Sequence, residues 1–363
     1  MLKSLLRDFK LLFLVLLAIL VKAFSVHALL VEQYYTYGAY PVIAKVMRTL
    51  FGWLPFSFGD LLYAGAGLYL VYLVSRLIWA FKQNGFTRNV AAAAFSKLVK
   101  VGLIVYLAFN VLWGLNYSRQ GIAYQLQLQV QPYTLQDVHA LTERLQQQLN
   151  FYAAQVDTVR RSTLDNDQRL FDGGIAVYQA AQQQWPYLAY SPASIKPSLY
   201  TVVGHYFGFT GYYNPFSGEA QLKTTIPAFI KPFVTTHEIA HQLGYAKENE
   251  ANFVAFLASK HSGDVDFLYS LYYELYRYAL REVYNRDSTL ALTFKEKLHP
   301  RVRMDNELLK QYLQTTVNKV EPFMSAFYDQ FLKLNNQEKG VQTYNEVVAL
   351  LVAYGKKYGL QSI

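Results

Sequence analysis

The sequence predicts a mainly helical α+β protein, with N-terminal transmembrane helices followed by a globular domain. Three observations lead there. Long apolar stretches crowd the first 118 residues. Most of the remainder is helical in pattern, broken by one Gly- and Pro-punctuated stretch at 198–222. A single His-Glu-Ile-Ala-His segment stands at 237–241.

The 363 residues are 53% apolar, enough for two domains with separate cores. Charged residues make up only 16%, against about 25% in an average soluble domain, which places part of the chain in lipid. The net charge of +9 is unevenly spread: residues 1–117 hold eleven Lys and Arg against Asp8, Glu32 and Asp60, while the rest is nearly balanced. The basic excess therefore belongs to the apolar third, as topology signal, and not to a soluble face that would bind nucleic acid. With no cysteine, disulfides, thiolate metal sites and a Cys nucleophile are all excluded.

The membrane portion is expected at 1–118, with two to three transmembrane helices at about 11–31, 61–81 and 101–118. About 20 residues span the hydrocarbon core. The first stretch has two readings: a secretory signal, with Val26-His27-Ala28 as a cleavage site, or a membrane helix whose Lys22 snorkels to the surface. Lys3, Arg7 and Lys10 precede it, and Arg76, Lys82, Arg88, Lys97 and Lys100 surround the loop between the other two. The positive-inside rule puts both groups in the cytoplasm. Residues 119–363 then form an extracytoplasmic domain of a multi-pass inner-membrane protein, whether or not the first stretch is cleaved.

Beyond Ser118, Gln125–Gln131 alternates with period two and reads as a half-buried strand or an extended tether. Thr134 is a candidate N-cap for a helix to about Gln155, and a second helix is expected over Gln168–Gln184. Ser198–Val203 and Glu219–Leu222 read as strands between tight turns. From Lys231 the pattern is helical, with breaks at Pro300, Pro322 and Gly340. Thr343 to Glu346 has the spacing of a capping box.

The chemistry concentrates at 233–256. On a helix, His237 and His241 lie one turn apart on one face and can aim two imidazoles at one metal. Glu238 is rotated so that it reaches a water molecule there. Gly244 supplies the helix stop. Two imidazoles do not complete a catalytic zinc site, which has three protein ligands and an open position. Glu248 and Glu250 are the acids that follow.

Together, 237–241 and Glu248-Asn-Glu-Ala251-Asn252 resemble the gluzincin zinc peptidases, in which HExxH on one helix is joined by a ligand Glu from the next. The resemblance implies a zincin-like metallopeptidase domain binding Zn²⁺ through His237, His241 and Glu248. Glu238 is then the general base on zinc-bound water, and Asn252 orients a ligand His. Glu250 remains the alternative third ligand. Only six residues separate His241 from Glu248, fewer than is usual in that group, and a neutral Asn252 stands where a carboxylate is usual. More broadly, the apolar front, the stretch Gly211–Ala220 and the metal motif are similar to an uncharacterised bacterial family of membrane-anchored HExxH proteins.

The implied function is hydrolysis of peptide bonds in envelope proteins or peptides, with peptide substrate and lipid bilayer as partners. An extended substrate would lie beside a strand at 209–222. The competing reading is a non-catalytic zinc-binding sensor or scaffold on a membrane anchor. His205, Tyr212, Tyr213 and Tyr245 are possible donors to an oxyanion, though packing roles are commoner for such residues. Glu219 reads as structural.

Overall fold

The computed structural model describes residues 8–84, 87–335, 337, 340 and 346–363. It is mainly helical, with one three-stranded sheet. Helix α1 (Phe9–Ser25) is capped by Asp8, which accepts from the Leu11 amide and pairs with Lys100 at 2.6 Å. The chain then breaks at Val26-His27 and turns by 95°. A π-helical stretch (Val31–Ala39) leads into α2 (Tyr40–Phe51). Val31, Tyr35, Tyr40 and Ala44 on this segment are buried, so it is packed as protein core and not as a loop between spans.

Helices α3 (Phe58–Asn84) and α4 (Arg88–Leu112) follow. Both are long and apolar enough to cross a membrane, over Phe58–Gln83 and Val90–Leu112. Residues 61–72 on α3 are all exposed. Water does not tolerate a helix apolar on every face, whereas hydrocarbon favours one. The third apolar stretch differs from the expected 101–118: the helix starts at Arg88 and ends at Leu112. Gly114–Ser118 is a 3₁₀ turn whose Leu115 and Tyr117 are buried with Trp113. Those rings find protein partners, so apolarity there signals core and not lipid.

The larger core belongs to residues beyond 120. Helix α5 (Leu135–Ala153) begins at the Thr134 capping box and buries Leu141, Leu145 and Leu149 completely against α10 (Val265–Arg286). Its i, i+4, i+8 spacing makes one continuous stripe, each leucine contributing roughly 1.5–3 kcal/mol by burial. Helix α6 (Asp167–Ala181) starts at the Asn166 cap. Of the two readings of Gln125–Gln131, the half-buried strand is absent. A helical turn (Ile122–Gln125) is followed by chain outside the sheet, with Gln127 at φ 50°.

The sheet runs β1 (Ile195–Pro197), β3 (Glu219–Leu222), β2 (Gly211–Asn214). β1 is parallel to β3 and β2 antiparallel, with Gly211 opposite Leu222 and Asn214 opposite Glu219. Ser198–Val203 does not form a strand; Thr201–Phe207 is helix α7. The Leu199 amide is held by Asp60 and the Tyr200 amide by Ser198 Oγ, which turns the chain despite its β-branched residues.

Six of the remaining helices are α8 (Lys231–Gln242), α9 (Glu248–Ser259), α11 (Ser288–Glu296), α12 (Pro300–Thr316), α13 (Glu321–Leu334) and α14 (Val347–Tyr358). Pro300 and Pro322 sit in first turns, where a missing N–H costs nothing. Thr343 and its capping box lie outside the described residues.

Candidate metal centre

Every residue of α8 is buried. The helix packs on α6, α9, α10 and β3. The Tyr178 hydroxyl donates to Thr236 O at 2.7 Å, and the Phe233 amide donates to Ser270 Oγ at 3.0 Å. Its end is equally constrained. Gly244 has φ 87°, and a Cβ there would lie 2.8 Å from the Tyr40 ring. This residue reverses the chain so that α9 opens with Glu248 beside the helix just completed.

His237, His241 and Glu248 converge, with one ligand atom of each within 4.8 Å of the others. Glu248 Oε2 lies 3.1 Å from His237 Nε2 and 3.6 Å from His241 Nε2, and the two Nε2 atoms are 3.1 Å apart. The outer nitrogens fix the tautomers. His241 Nδ1 lies 2.7 Å from the Tyr245 carbonyl, and His237 Nδ1 lies 2.7 Å from Asn252 Oδ1. Both partners are acceptors, so each Nδ1 carries hydrogen and each Nε2 faces inward as the position that takes a proton or an ion. Two lone pairs and a carboxylate facing one another need a positive charge among them. Glu248 Oε2 and Glu238 Oε2 are buried without a well-aligned hydrogen bond, a cost that a cation would remove. Two imidazole nitrogens and one carboxylate oxygen are a donor set that suits zinc with a position left open.

The electrostatics agree with this. Burial alone would raise Glu248, yet His241 and His237 hold it well below the usual carboxylate range. Burial opposes charge on His241, but Glu248 and Glu238 outweigh it and raise the ring to about 9. A proton thus takes the place that a cation would fill. For Glu238, burial dominates over both histidines and lifts the carboxyl to about 7.

Glu250 lies apart from the cluster. Its carboxylate stands against Gly121, with Oε1 3.8 Å from Lys247 Nζ. Asn252 takes the orienting position against His237 that the resemblance implies. His205 sits on α7 with Nε2 2.7 Å from Thr315 O. Tyr212 donates to Asp60, Tyr245 donates to Gln125, and Tyr213 packs on Trp113. Glu219 is structural: its carboxylate accepts from the Phe58 and Gly59 amides and from Lys196 Nζ, capping the start of α3.

Several residues at the centre have no signal in the local sequence. The Tyr328 hydroxyl on α13 donates to Glu248 Oε1 at 2.7 Å. The carbonyls at the end of α8 and in its turn receive side-chain donors from the N-terminal third. Trp113 Nε1 donates to His241 O, Tyr40 and Arg48 donate to Gln242 O, and Arg119 donates to Gly244 O. Arg119 is itself held by buried Glu32 at 3.1 Å. Sequence separations of 125–202 residues hide these bonds.

Fold and site together define a mainly helical protein with membrane-length helices and a buried His-His-Glu cluster on adjoining helices. The chain belongs to the family described as protein of unknown function (DUF3810), whose match covers residues 35–352. No curated protein and no solved structure matches it.

Proposed function

We propose that this chain is a membrane-anchored zinc-dependent peptidase, cleaving peptide bonds of envelope proteins or peptides on the extracytoplasmic side. The observation that carries the reading is the convergence of His237, His241 and Glu248 with Glu238 one residue from the first imidazole. These three would hold Zn²⁺. When bound, the ion supplies a Lewis acid that polarises a carbonyl and makes water more acidic.

Glu238 then works as the base. Its carboxylate, next to the first imidazole, would accept a proton from the attacking water and return it to the leaving amine. A Cβ at Gly211 would come 2.6 Å from Glu238 Oε1. Its absence lets β2, at the edge of the sheet, run against the base and offer main chain to an extended peptide. Residues 119–363 would form the zincin-like catalytic domain, placed outside by the basic residues around the α3–α4 loop.

The test is Glu238→Gln. It should retain zinc near one equivalent while hydrolysis of an unstructured peptide falls about 10²–10⁴-fold. Undiminished cleavage by this variant would overturn the assignment. The close cover over the cluster favours a second reading, a zinc-binding sensor or scaffold. His237, Glu238, His241 and Glu248 are only 3–7% exposed, and Tyr328 already engages Glu248. In that case Glu238→Gln changes nothing, whereas His237→Ala impairs zinc or partner binding.

A further inference from the structure

Helix α13 has two faces of different fate. Tyr328, though 37% exposed, reaches Glu248 with its hydroxyl, and half-buried Phe331 packs on Tyr117 and on Phe109 of α4. Phe323, Phe327 and Leu334 are bare, at 71%, 64% and 81% exposure. At 100° per residue these three fall within about 40° of one another, so they make one stripe. Helix α7 continues it. Val202 and Tyr206 on it, and Leu199 just before it, are exposed; Asn318, just ahead of α13, donates from Nδ2 to Tyr206 O, and the Glu321 side chain at the start of α13 lies against Gly208 at the end of α7. An apolar aromatic face spread over two elements is unusual on a surface that meets water.

Its position says what covers it. Phe109 is three residues from the end of α4, or roughly 4.5 Å along the axis. At the other span, Asp60 in the first turn of α3 accepts from the Leu199 amide, and its carbonyl accepts from the Tyr200 hydroxyl. Helices α7 and α13 therefore sit where both membrane-length helices end, the depth at which hydrocarbon gives way to headgroups. Aromatic side chains favour that layer, and amphipathic helices lie in it with their apolar face down.

We propose that α7 and α13 form a membrane-docking face that beds Phe323, Phe327 and Val202 into the lipid surface around the ends of α3 and α4. The same helix α13 then has lipid on one side and the Glu248 carboxylate on the other, which brings the metal centre to the bilayer surface. If the peptidase reading holds, on which this clause rests, the substrates are polypeptide segments lying at or tethered to that surface.

The absence of cysteine makes the test clean. Full-length protein carrying Phe323→Cys, Phe327→Cys or Val202→Cys is labelled with an environment-sensitive fluorophore in nanodiscs of phosphatidylethanolamine and phosphatidylglycerol. Val71→Cys on α3 is the lipid reference, and Val159→Cys, at an exposed position, the aqueous one. Doxyl-lipid should quench the three test positions as it does Val71→Cys, with Val159→Cys unaffected. Quenching instead by an aqueous nickel chelate, as at Val159→Cys, overturns the proposal. Shielding from both quenchers also overturns it, because protein then covers the face. No readout here involves catalysis, so the result stands whatever becomes of the peptidase. The substrate clause has its own arm: Phe323→Glu with Phe327→Glu should slow cleavage of a bilayer-tethered peptide and spare the same peptide in solution. Equal loss on both rejects that clause alone.

Discussion

Helices α3 and α8 are opposite answers to the same problem. Residues 61–72 of α3 are exposed on every face, and no core residue of the protein lies on that stretch. In α8 all twelve residues are buried, including Lys231, two histidines and a glutamate. The first suits its surroundings through composition, since its backbone is satisfied within the helix and its side chains ask nothing but an apolar medium. The second carries groups that burial penalises, so each needs a partner brought from elsewhere. Residues outside the helix supply most of them: Asp165 takes Lys231, Asn252 holds His237, and Tyr178, Trp113, Tyr40 and Arg48 donate to helix carbonyls, while Glu238 Oε2 is left without a hydrogen bond. Substitution should therefore be tolerated on α3 and damaging around α8.

Four experiments bear on that contrast. The largest effect is expected from Trp113→Ala, which empties a buried site and removes the side-chain donor to the His241 carbonyl, leaving only the Gly244 amide on it. Unfolding in detergent should show a loss of about 3–5 kcal/mol, and a loss under about 1 kcal/mol would mean that the N-terminal third does not support α8. Gly244→Ala forces a side chain into the left-handed region and towards Tyr40. It should lower stability by about 1–3 kcal/mol, while a neutral result would show that the turn relaxes freely.

Zinc binding sharpens the electrostatic side. His241 is protonated below about 9 in the metal-free protein, so an incoming ion must displace one proton. Apparent zinc affinity should therefore rise about tenfold per pH unit between roughly 6.5 and 8.5, as read by competition with a chelator of known pH dependence. A flat profile would deny that the histidine pair is the binding site. The smallest effect is expected on α3: Val71→Ala, at 67% exposure, should change unfolding by less than about 0.5 kcal/mol. A loss of about 2 kcal/mol or more would reveal a protein partner against this span.

Much of the architecture was readable from local pattern. Thr134 caps α5 as its spacing implied, and that helix ends at Ala153, near the expected Gln155. Helix α6 begins one residue before the expected Gln168. Such features are legible because caps and amphipathic stripes act within a few residues. Ser198–Val203 misled because β propensity is weak beside Asp60, which arrives from 139 residues away and holds the Leu199 amide. The third span was misplaced because Trp113, Leu115 and Tyr117 are as apolar as lipid-facing residues, and sequence does not say which solvent they meet. At the centre, His237, His241 and Glu238 followed from helical spacing, whereas the choice between Glu248 and Glu250 did not.

Local sequence is enough to establish that two membrane-length helices precede a mainly helical body, and that two imidazoles share one face of a helix stopped by Gly244. Both follow from hydrophobic run length and 3.6-residue periodicity, which are properties of a single segment. Packing across the fold is what brings Glu248 to the histidines while Glu250 turns to Gly121. It alone decided that Tyr328 reaches the same carboxylate and that Trp113, Arg48 and Arg119 close the helix end. Those outcomes depend on which buried polar groups find partners across the fold, a condition settled by three-dimensional packing and invisible to any local window.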